Sequence, residues 1–578
     1  MRNSVHLLCG LLMAAAFLWL PAQTSNILIT NPTADQVIKG NYNPADYLAS
    51  TVLNHPDSII GGLLGSIAPD SLQSYLVRLS EFFNRNTGSD TVSSTTGIGA
   101  ARRWALGKFQ EFSAENENRL LTGYLQFDRT VCGMGQHRNV LGVLPGIDAD
   151  AEGIIIIEGH MDSRCDGNCD INCAAYGADD NGSGTVLVME LARVLSRYSF
   201  NHTIVFMLTT GEEQGLFGAD AMANYCFSSN IPVKAVLNND IVGGIFCGTT
   251  ASPPGCPGAG DIDSLNVRIY SSGGYNSPNK QLARYVKLEY KEELLSQINV
   301  PMAINIMSGE DRTGRGGDHI PFRQRGFSAI RFTSANEHGN GNPSTPGYMD
   351  RQHTSEDSIG IDLDNDGNLD SFYVDFNYLA RNALINANAA GLIGIGPETP
   401  TFSAVPAAGG IEVNIASAIP YPAYRVAIRQ TNNDWDTVYT LTGPLDTLLG
   451  LTQGTTIILS VAAVDSNGIE SLFSNEDNLT LTGIDGAHPS GVSLLPNRPN
   501  PFDEQTIITV RREDFVQFEE AFIRISDIKG REVERIPMTL EADINEVYFY
   551  HGFHARGVYF YSLVIDGRIL ETRRMVME

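Results

Sequence analysis

Positive charge is scarce in this chain. Only 39 lysines and arginines face 66 aspartates and glutamates over 578 residues, a formal net charge of −27 at pH 7. A surface of that sign repels phosphate, which argues against nucleic acid as a partner. Long apolar runs are missing beyond the first twenty or so residues, so no transmembrane segment is expected in the mature chain. Closely paired CxxC cysteines, the knuckles of structural zinc, are missing too. What is present, a hydrophobic content of 42%, suits a globular chain and excludes wholesale disorder. Its length predicts two to four domains.

The N-terminus, MRNSVHLLCGLLMAAAFLWLPAQT, has a basic Arg2, an apolar run from Leu7 to Leu20 and small residues near Ala22. It reads as a secretory signal peptide over residues 1–22. Export leaves seven cysteines once Cys9 is removed: Cys132, Cys165, Cys169, Cys173, Cys226, Cys247 and Cys256. In an oxidising compartment these read as disulfides, with one thiol free or paired outside the chain.

Residues 23–67 show no clear pattern and are expected to be an irregular N-terminal segment or propeptide. From residue 68 the chain becomes periodic. DSLQSYLVRLSEFF places Leu72, Tyr75, Leu76 and Leu79 at helical spacing, with Asp70 or Ser71 as the N-cap. NVLGVLPG, GIIIIEGH, TIVFMLTT, KAVLNND, VRIYSS and SAIRFTS read as strands, and SGTVLVMELARVLSRY, LFGADAMANYC and NKQLARYVKLEYKEELLSQI as helices. This alternation predicts an α/β domain over residues 68–396, a mostly parallel sheet flanked by helices and closed by the helix NYLARNALINANAAGLIG. Short strands follow, and they predict two small all-β sandwich domains, at 397–485 and 494–578.

The segment GHMDSRCDGNCDINCAAYGADDNGSG concentrates acids and thiols directly after an apolar strand. A metal site of histidine and carboxylates competes there with a cysteine site. Strand position decides between them. His160 and Asp162 follow GIIIIEG, Glu212 and Glu213 follow TIVFMLTTG, and Asp240 follows AVLNN. Ligands of open α/β sheets bind at the carboxyl ends of strands. So many carboxylates at one edge repel one another unless divalent cations compensate them. Taken singly, each is an ordinary solvated loop acid.

HMD, GADDNGSG, GEEQGLFGA, NNDIVGG and RQHTSED, in that order, resemble the motifs of secreted bacterial di-zinc leucyl aminopeptidases and their metallopeptidase family. The resemblance implies a zinc exopeptidase-like fold. It implies two Zn2+ held by His160, Asp180, Glu213, Asp240 and His353, with Asp179 the competitor of Asp180. Asp162 would sit behind His160 to fix its ring. Glu212 would act as general base while a hydroxide between the zincs attacks the carbonyl of a peptide substrate. TTIILSVAAVDSNGIES resembles late strands of fibronectin type III domains. PNPF, ISDIKGREV and GVYFYSL resemble the C-terminal sorting domain of the type IX secretion system. With the signal peptide, that implies passage across the outer membrane to the cell surface or medium, with the type IX machinery as a partner.

Two departures stand out. Gln352 occupies the position before the last histidine, where those aminopeptidases carry a tyrosine that helps the oxyanion, and Tyr348 is a substitute. His319 in GRGGDHIPF rivals His353, and nearby Arg315 could orient a substrate carbonyl or carboxylate. Separately, DLDNDGNLD places Asp362, Asp364, Asp366 and Asp370 as in the first part of a calcium loop, with Asp375 a stand-in for the missing final glutamate; an acidic turn is the plainer reading. Carboxypeptidase, dipeptidase or glutaminyl cyclase chemistry on the same scaffold, and a non-catalytic surface binding protein, remain alternatives to an aminopeptidase.

Overall fold

The computed structural model describes residues 24–578 apart from 249–252, 313–314, 337–343, 345–349, 365, 367–368, 408–409, 431–433, 453, 482–491, 513–519, 551, 553 and 567. The expected signal peptide lies outside the described residues. Among them no helix is long and apolar enough to cross a membrane.

The centre is a nine-stranded sheet. Its middle strands are β4 (Ile154–His160), β5 (Ile204–Thr209), β6 (Val233–Asn239) and β9 (Ala329–Ser334), mutually parallel and almost wholly buried. Side chains alternate across a strand, so an unbroken apolar run feeds both faces. Ile155 and Ile157 enter one core cluster, Ile154 and Ile156 the other. In β5, Ile204, Phe206 and Leu208 share the first and Val205 and Met207 the second. Helices α2 (Pro56–Leu64), α3 (Pro69–Ser80), α4 (Gly97–Glu115), α5 (Gly184–Leu195), α7 (Pro278–Glu289) and α9 (Phe376–Ile395) cover the first face. The shorter α1 (Pro32–Ile38), α6 (Phe217–Ser228) and α8 (His319–Gln324) cover the second.

The flanks of the sheet correct the expectation of a mostly parallel arrangement. β1 (Ser25–Ile29), β2 (Leu121–Val131) and β3 (Met134–Leu144) run antiparallel to one another, and β3 runs antiparallel to β5. β7 (Asn266–Ser271) runs antiparallel to β9, and β8 (Ala303–Ile306) parallel to β7. A tight turn explains the β2–β3 hairpin: Cys132 (φ 48°) and Gly133 (φ 83°) both take positive φ, as a two-residue I′ connection requires.

Residues 24–67 are not irregular. β1 pairs with β2, Asn31 caps α1 by accepting from the Thr33 and Ala34 amides, and Val37 and Ile38 are buried. From α2, Ile59, Ile60 and Leu63 join the main core. Elements of five to nine residues are too short to show a period. The start of α3 also differs from expectation. Ala68 occupies the cap position with Pro69 in the first turn, and the Ala68 amide donates to Glu190 at 2.9 Å.

After α9 come four small antiparallel sheets. Strands within residues 401–480 form one pair around Ile411, Val413, Val426 and Val461. Strands within 492–577 form another around Leu494, Ile508, Phe549 and Tyr561. The first pair is welded to the α/β body: Ala427, Ala462, Ile469 and Phe473 belong to the main core cluster. Glu476 is the hub of that contact. It accepts from Arg284 at 2.8 Å and from Arg429 at 2.6 and 2.7 Å, and all three side chains are buried. The last pair has a core of its own.

Candidate metal centre

Three neighbouring parallel strands end at one edge. His160 is the last residue of β4, Glu212 and Glu213 follow β5 by way of Gly211 (φ 85°), and Asp240 directly follows β6. Gly159 lets the start of α5 approach, because a Cβ there would lie 2.9 Å from the Gly184 carbonyl carbon and 3.0 Å from the Asn239 carbonyl oxygen. That approach brings the turn Ala178–Ser183, carrying Asp180, over the strand ends. His353, with φ 62°, enters from the segment between β9 and α9.

Asp180 lies between the two histidines. Its Oδ1 is 3.2 Å from His160 Nε2 and its Oδ2 is 3.0 Å from His353 Nε2. Asp240 Oδ1 lies 3.5 Å and Glu212 Oε2 3.9 Å from His160 Nε2. Glu213 Oε2 lies 3.3 Å from His353 Nε2. His160, Glu212 and Asp240 form one cluster of ligand atoms within 4.8 Å of one another, and His160, Asp180 and Glu213 form a second. Asp179 points elsewhere, accepting from the amides of Gly243 and Gly244 at 3.0 and 2.9 Å.

His319 is not brought to this cluster. Its Nε2 lies 3.0 Å from the Glu310 carbonyl oxygen, while neighbouring Asp318 accepts from the Thr209 hydroxyl. Gln352 Nε2 donates to Asp180 Oδ2 at 2.7 Å, and Arg315 donates to Gln352 Oε1 at 3.3 Å. Tyr348 lies outside the described residues.

Asp162 differs from its expected part. The His160 ring donates from Nδ1 to the Asp162 backbone carbonyl at 3.0 Å, while the Asp162 carboxylate is 3.7 Å away. That carboxylate instead accepts the amides of Glu212 and Glu213 at 3.4 and 3.3 Å and the Thr87 hydroxyl at 3.0 Å. It therefore fixes the Glu212–Glu213 turn, because a short chain reversal after β5 leaves those amides without strand partners.

Three positioning residues escaped the sequence reading. Asp357 accepts the amides of Asp179 and Asp180 at 2.9 and 3.0 Å. Arg85, fully buried, donates to the carbonyls of Met161 and Gly177, both at 2.9 Å, and so clamps the strands of chain on either side of the site. Arg164 donates from Nε to Glu213 Oε2 at 2.9 Å and reaches His353 Nδ1 at 2.6 Å. Asp357 stood inside a motif already in view. The two arginines carry no signal in a single sequence.

Burial would pull the histidines toward their neutral forms, but the carboxylates win. Glu213 and Asp180 hold His353 up at about 10, and Glu212, Asp180 and Asp240 raise His160 well above its ordinary value. Burial pushes Glu212 well above the usual carboxylate range, against the pull of His160. Glu213 Oε1 is buried with no hydrogen-bond partner among the described residues. An unpartnered buried carboxylate oxygen beside two imidazoles and three further carboxylates is a donor set that fits zinc.

The cysteines stand apart from the ligands. Cys132 pairs with Cys169, Cys165 with Cys173 and Cys247 with Cys256, and Cys226 is free and buried. A cavity of about 270 Å³ opens beside Asp180 and Gln352, lined also by Ile241, Phe246, Cys247 and Tyr373. In the acidic loop, Asp362, Asp364 and Asp366 lie within 4.8 Å of one another. Asp370 accepts from the Leu363 amide at 2.5 Å, and Asp375 is occupied in capping α9 through the Tyr378 amide, not in that cluster.

Comparison with known proteins gives the family. The family model described as Peptidase family M28 matches residues 139–373, a span that contains His160, Asp180, Glu213, Asp240 and His353. A "Probable zinc metalloprotease" of Leptosphaeria maculans is 30% identical over 347 residues, covering 57% of this chain and 75% of the relative. A protein of the same name from Pyricularia oryzae is 28% identical over 438 residues, covering 72% of this chain and 84% of the relative. Among solved structures, the LapA aminopeptidase of Legionella pneumophila is 19% identical, with a TM-score of 0.42, 60% of this chain and 77% of that chain covered. The glutaminyl cyclase of Porphyromonas gingivalis is 16% identical, with a TM-score of 0.36, 56% of this chain and 97% of that chain covered. By the family match and the relative covered over three quarters of its length, this chain belongs to peptidase family M28 and is a zinc metallopeptidase.

Proposed function

We propose that the chain is a secreted aminopeptidase that holds two zinc ions, one between His160, Asp180 and Asp240 and the other between Asp180, Glu213 and His353. The observation that carries this reading is Asp180, which turns one carboxylate oxygen toward each histidine. Zinc bound there would polarise the peptide carbonyl and make the attacking water more acidic. Glu212 takes the water proton on its carboxylate and delivers it to the leaving amine. Its raised proton affinity suits a base that must hold a proton between those events. Asp162 keeps Glu212 in place through the backbone. The cavity beside Asp180 takes the side chain of the substrate's terminal residue.

A panel of aminoacyl and N-blocked peptides, assayed alongside metal analysis, tests the reading. Free N-termini should be removed one residue at a time and blocked peptides spared. Release of C-terminal residues from blocked peptides, cyclisation of N-terminal glutamine, or binding without turnover would each replace it with the corresponding alternative.

On the same footing, residues 1–22 are read as the signal peptide, 397–485 as a fibronectin type III-like domain and 494–578 as a type IX sorting domain, which together place the enzyme at the cell surface or in the medium. Calcium at Asp362, Asp364 and Asp366 is a separate proposal, tested by whether calcium raises the unfolding temperature and a calcium-selective chelator lowers it.

A further inference from the structure

The two histidines of the site are held by partners of opposite kind. His160 Nδ1 faces a backbone carbonyl, which can only accept, at 3.0 Å. Nδ1 therefore carries a proton, which leaves Nε2 as the nitrogen that a metal would take. His353 Nδ1 faces the guanidinium of Arg164, which can only donate, at 2.6 Å. There two donors face each other whenever Nδ1 carries a proton, while Nε2 points its own proton at Asp180 and Glu213. The nitrogen that would ligate is a donor.

Arg164 also takes Glu213 Oε2 at 2.9 Å, leaving Oε1 as the carboxylate's buried, unpartnered oxygen. Its third nitrogen, Nη1, donates to the Asp166 carbonyl at 3.1 Å and is 3.4 Å from that of Cys165. The backbone beneath it is braced. Cys165 pairs with Cys173 and Cys169 with Cys132, and Asn84 and Asn86 donate to the carbonyls of Asp170, Cys173 and Asn168 at 2.8–3.1 Å. The guanidinium is thus a fixed cation seated against two ligands of one half of the site.

We infer that Arg164 is the resident countercharge of the second half-site, and that a metal ion must displace it to bind Glu213 and His353. The inference rests on the two-zinc reading. A metal on His353 Nε2 leaves the ring's one proton on Nδ1, where it meets the guanidinium donor head-on, so the side chain has to withdraw. A cation that close also repels a second cation. At the first half-site the neighbouring arginine, Arg331, lies 3.1 Å from the Asp240 oxygen not facing His160, whereas Arg164 sits on the Glu213 oxygen that faces His353. Arg164 accordingly sets the difference in affinity between the two half-sites.

The test is a zinc titration of the metal-free full-length protein against a chromophoric chelator. The wild type should bind two zincs in separated steps, and Arg164→Met should tighten the weaker step about tenfold or more while leaving the stronger one nearly unchanged. Arg164→Lys, which keeps the charge but cannot span both ligands, should fall between. As a readout independent of any variant, nitrogen-15 histidine spectra should show His160 protonated on Nδ1 with and without metal, and His353 losing its Nε2 proton only at the second zinc step. Two equal steps in the wild type, or an unchanged or weakened second step in Arg164→Met, would overturn the inference and leave the two-zinc reading standing. Uptake of a single zinc by wild type and variant alike would remove that reading, and the inference with it.

Discussion

The carboxylate of Asp357 accepts the amide N–H of Asp180 at 3.0 Å, so the residue between the two histidines is held by its backbone from a loop 177 residues further on. The same carboxylate takes the Asp179 amide. Asp357→Ala leaves two amide donors unpaired, of which the buried one, on Asp180, costs about 1–3 kcal/mol. Differential scanning calorimetry should show a lower unfolding temperature, and metal analysis a lower zinc content, although Asp357 touches no zinc in the proposed site.

Glu212 and Glu213 should separate cleanly. Glu212→Gln keeps the metal and loses about 10²–10⁴-fold in kcat, the span over which a positioned base contributes. Glu213→Gln lowers zinc occupancy. Full metal and near-normal rates in both variants would undo these assignments.

His353→Ala should remove or weaken one zinc, since its Nε2 lies 3.0 Å from Asp180 and 3.3 Å from Glu213. His319→Ala should leave zinc content intact, because that ring faces a carbonyl in a neighbouring loop. The reverse pattern in metal analysis would transfer the ligand to His319.

Glu476 should behave as a structural hub. Its side chain and those of Arg284 and Arg429 are 1%, 1% and 5% exposed. Removing one partner of such a buried group typically costs about 3–5 kcal/mol. Glu476→Ala should therefore lower the unfolding temperature of the α/β body together with that of the sandwich following it. Deleting residues 494–578 should not, because their core is separate. By the sorting reading, that deletion leaves an active enzyme in the periplasm; normal arrival of the truncated chain in the medium would mean the segment is an ordinary β-domain.

Chelation should abolish peptidase activity and added zinc restore it. Full activity with no bound transition metal would contradict the zinc chemistry.

The middle of the sheet was legible because IIII and IVFML are apolar without a break, which only strands buried on both faces require. The ligand edge was legible for a related reason: His160, Glu212, Glu213 and Asp240 each stand just past such a run. Asp179 and Asp180 could not be told apart in sequence, being adjacent acids in one turn, and only the peptide amides of Gly243 and Gly244 divide them. Arg164 was hidden because an arginine between a serine and a cysteine reads as a solvated loop residue until the fold brings Glu213 and His353 to it. β1 was hidden because five half-exposed residues at a sheet edge carry almost no pattern.

That edge strand has a consequence for assembly. Ile29 lies opposite Leu125, and β2 is anchored through β3, whose Val140 lies opposite Leu208. β1 thus has no seat until the chain has been made past β5. Closing so long a loop costs entropy that only the finished neighbours return. Until β1 docks, the eleven-residue β2 presents an open row of backbone donors and acceptors to any other chain beside it. Once docked, β1 replaces that long edge with one of five residues. A strand made before β2 is thus seated only after β5, and it guards that edge of the sheet against pairing with other chains.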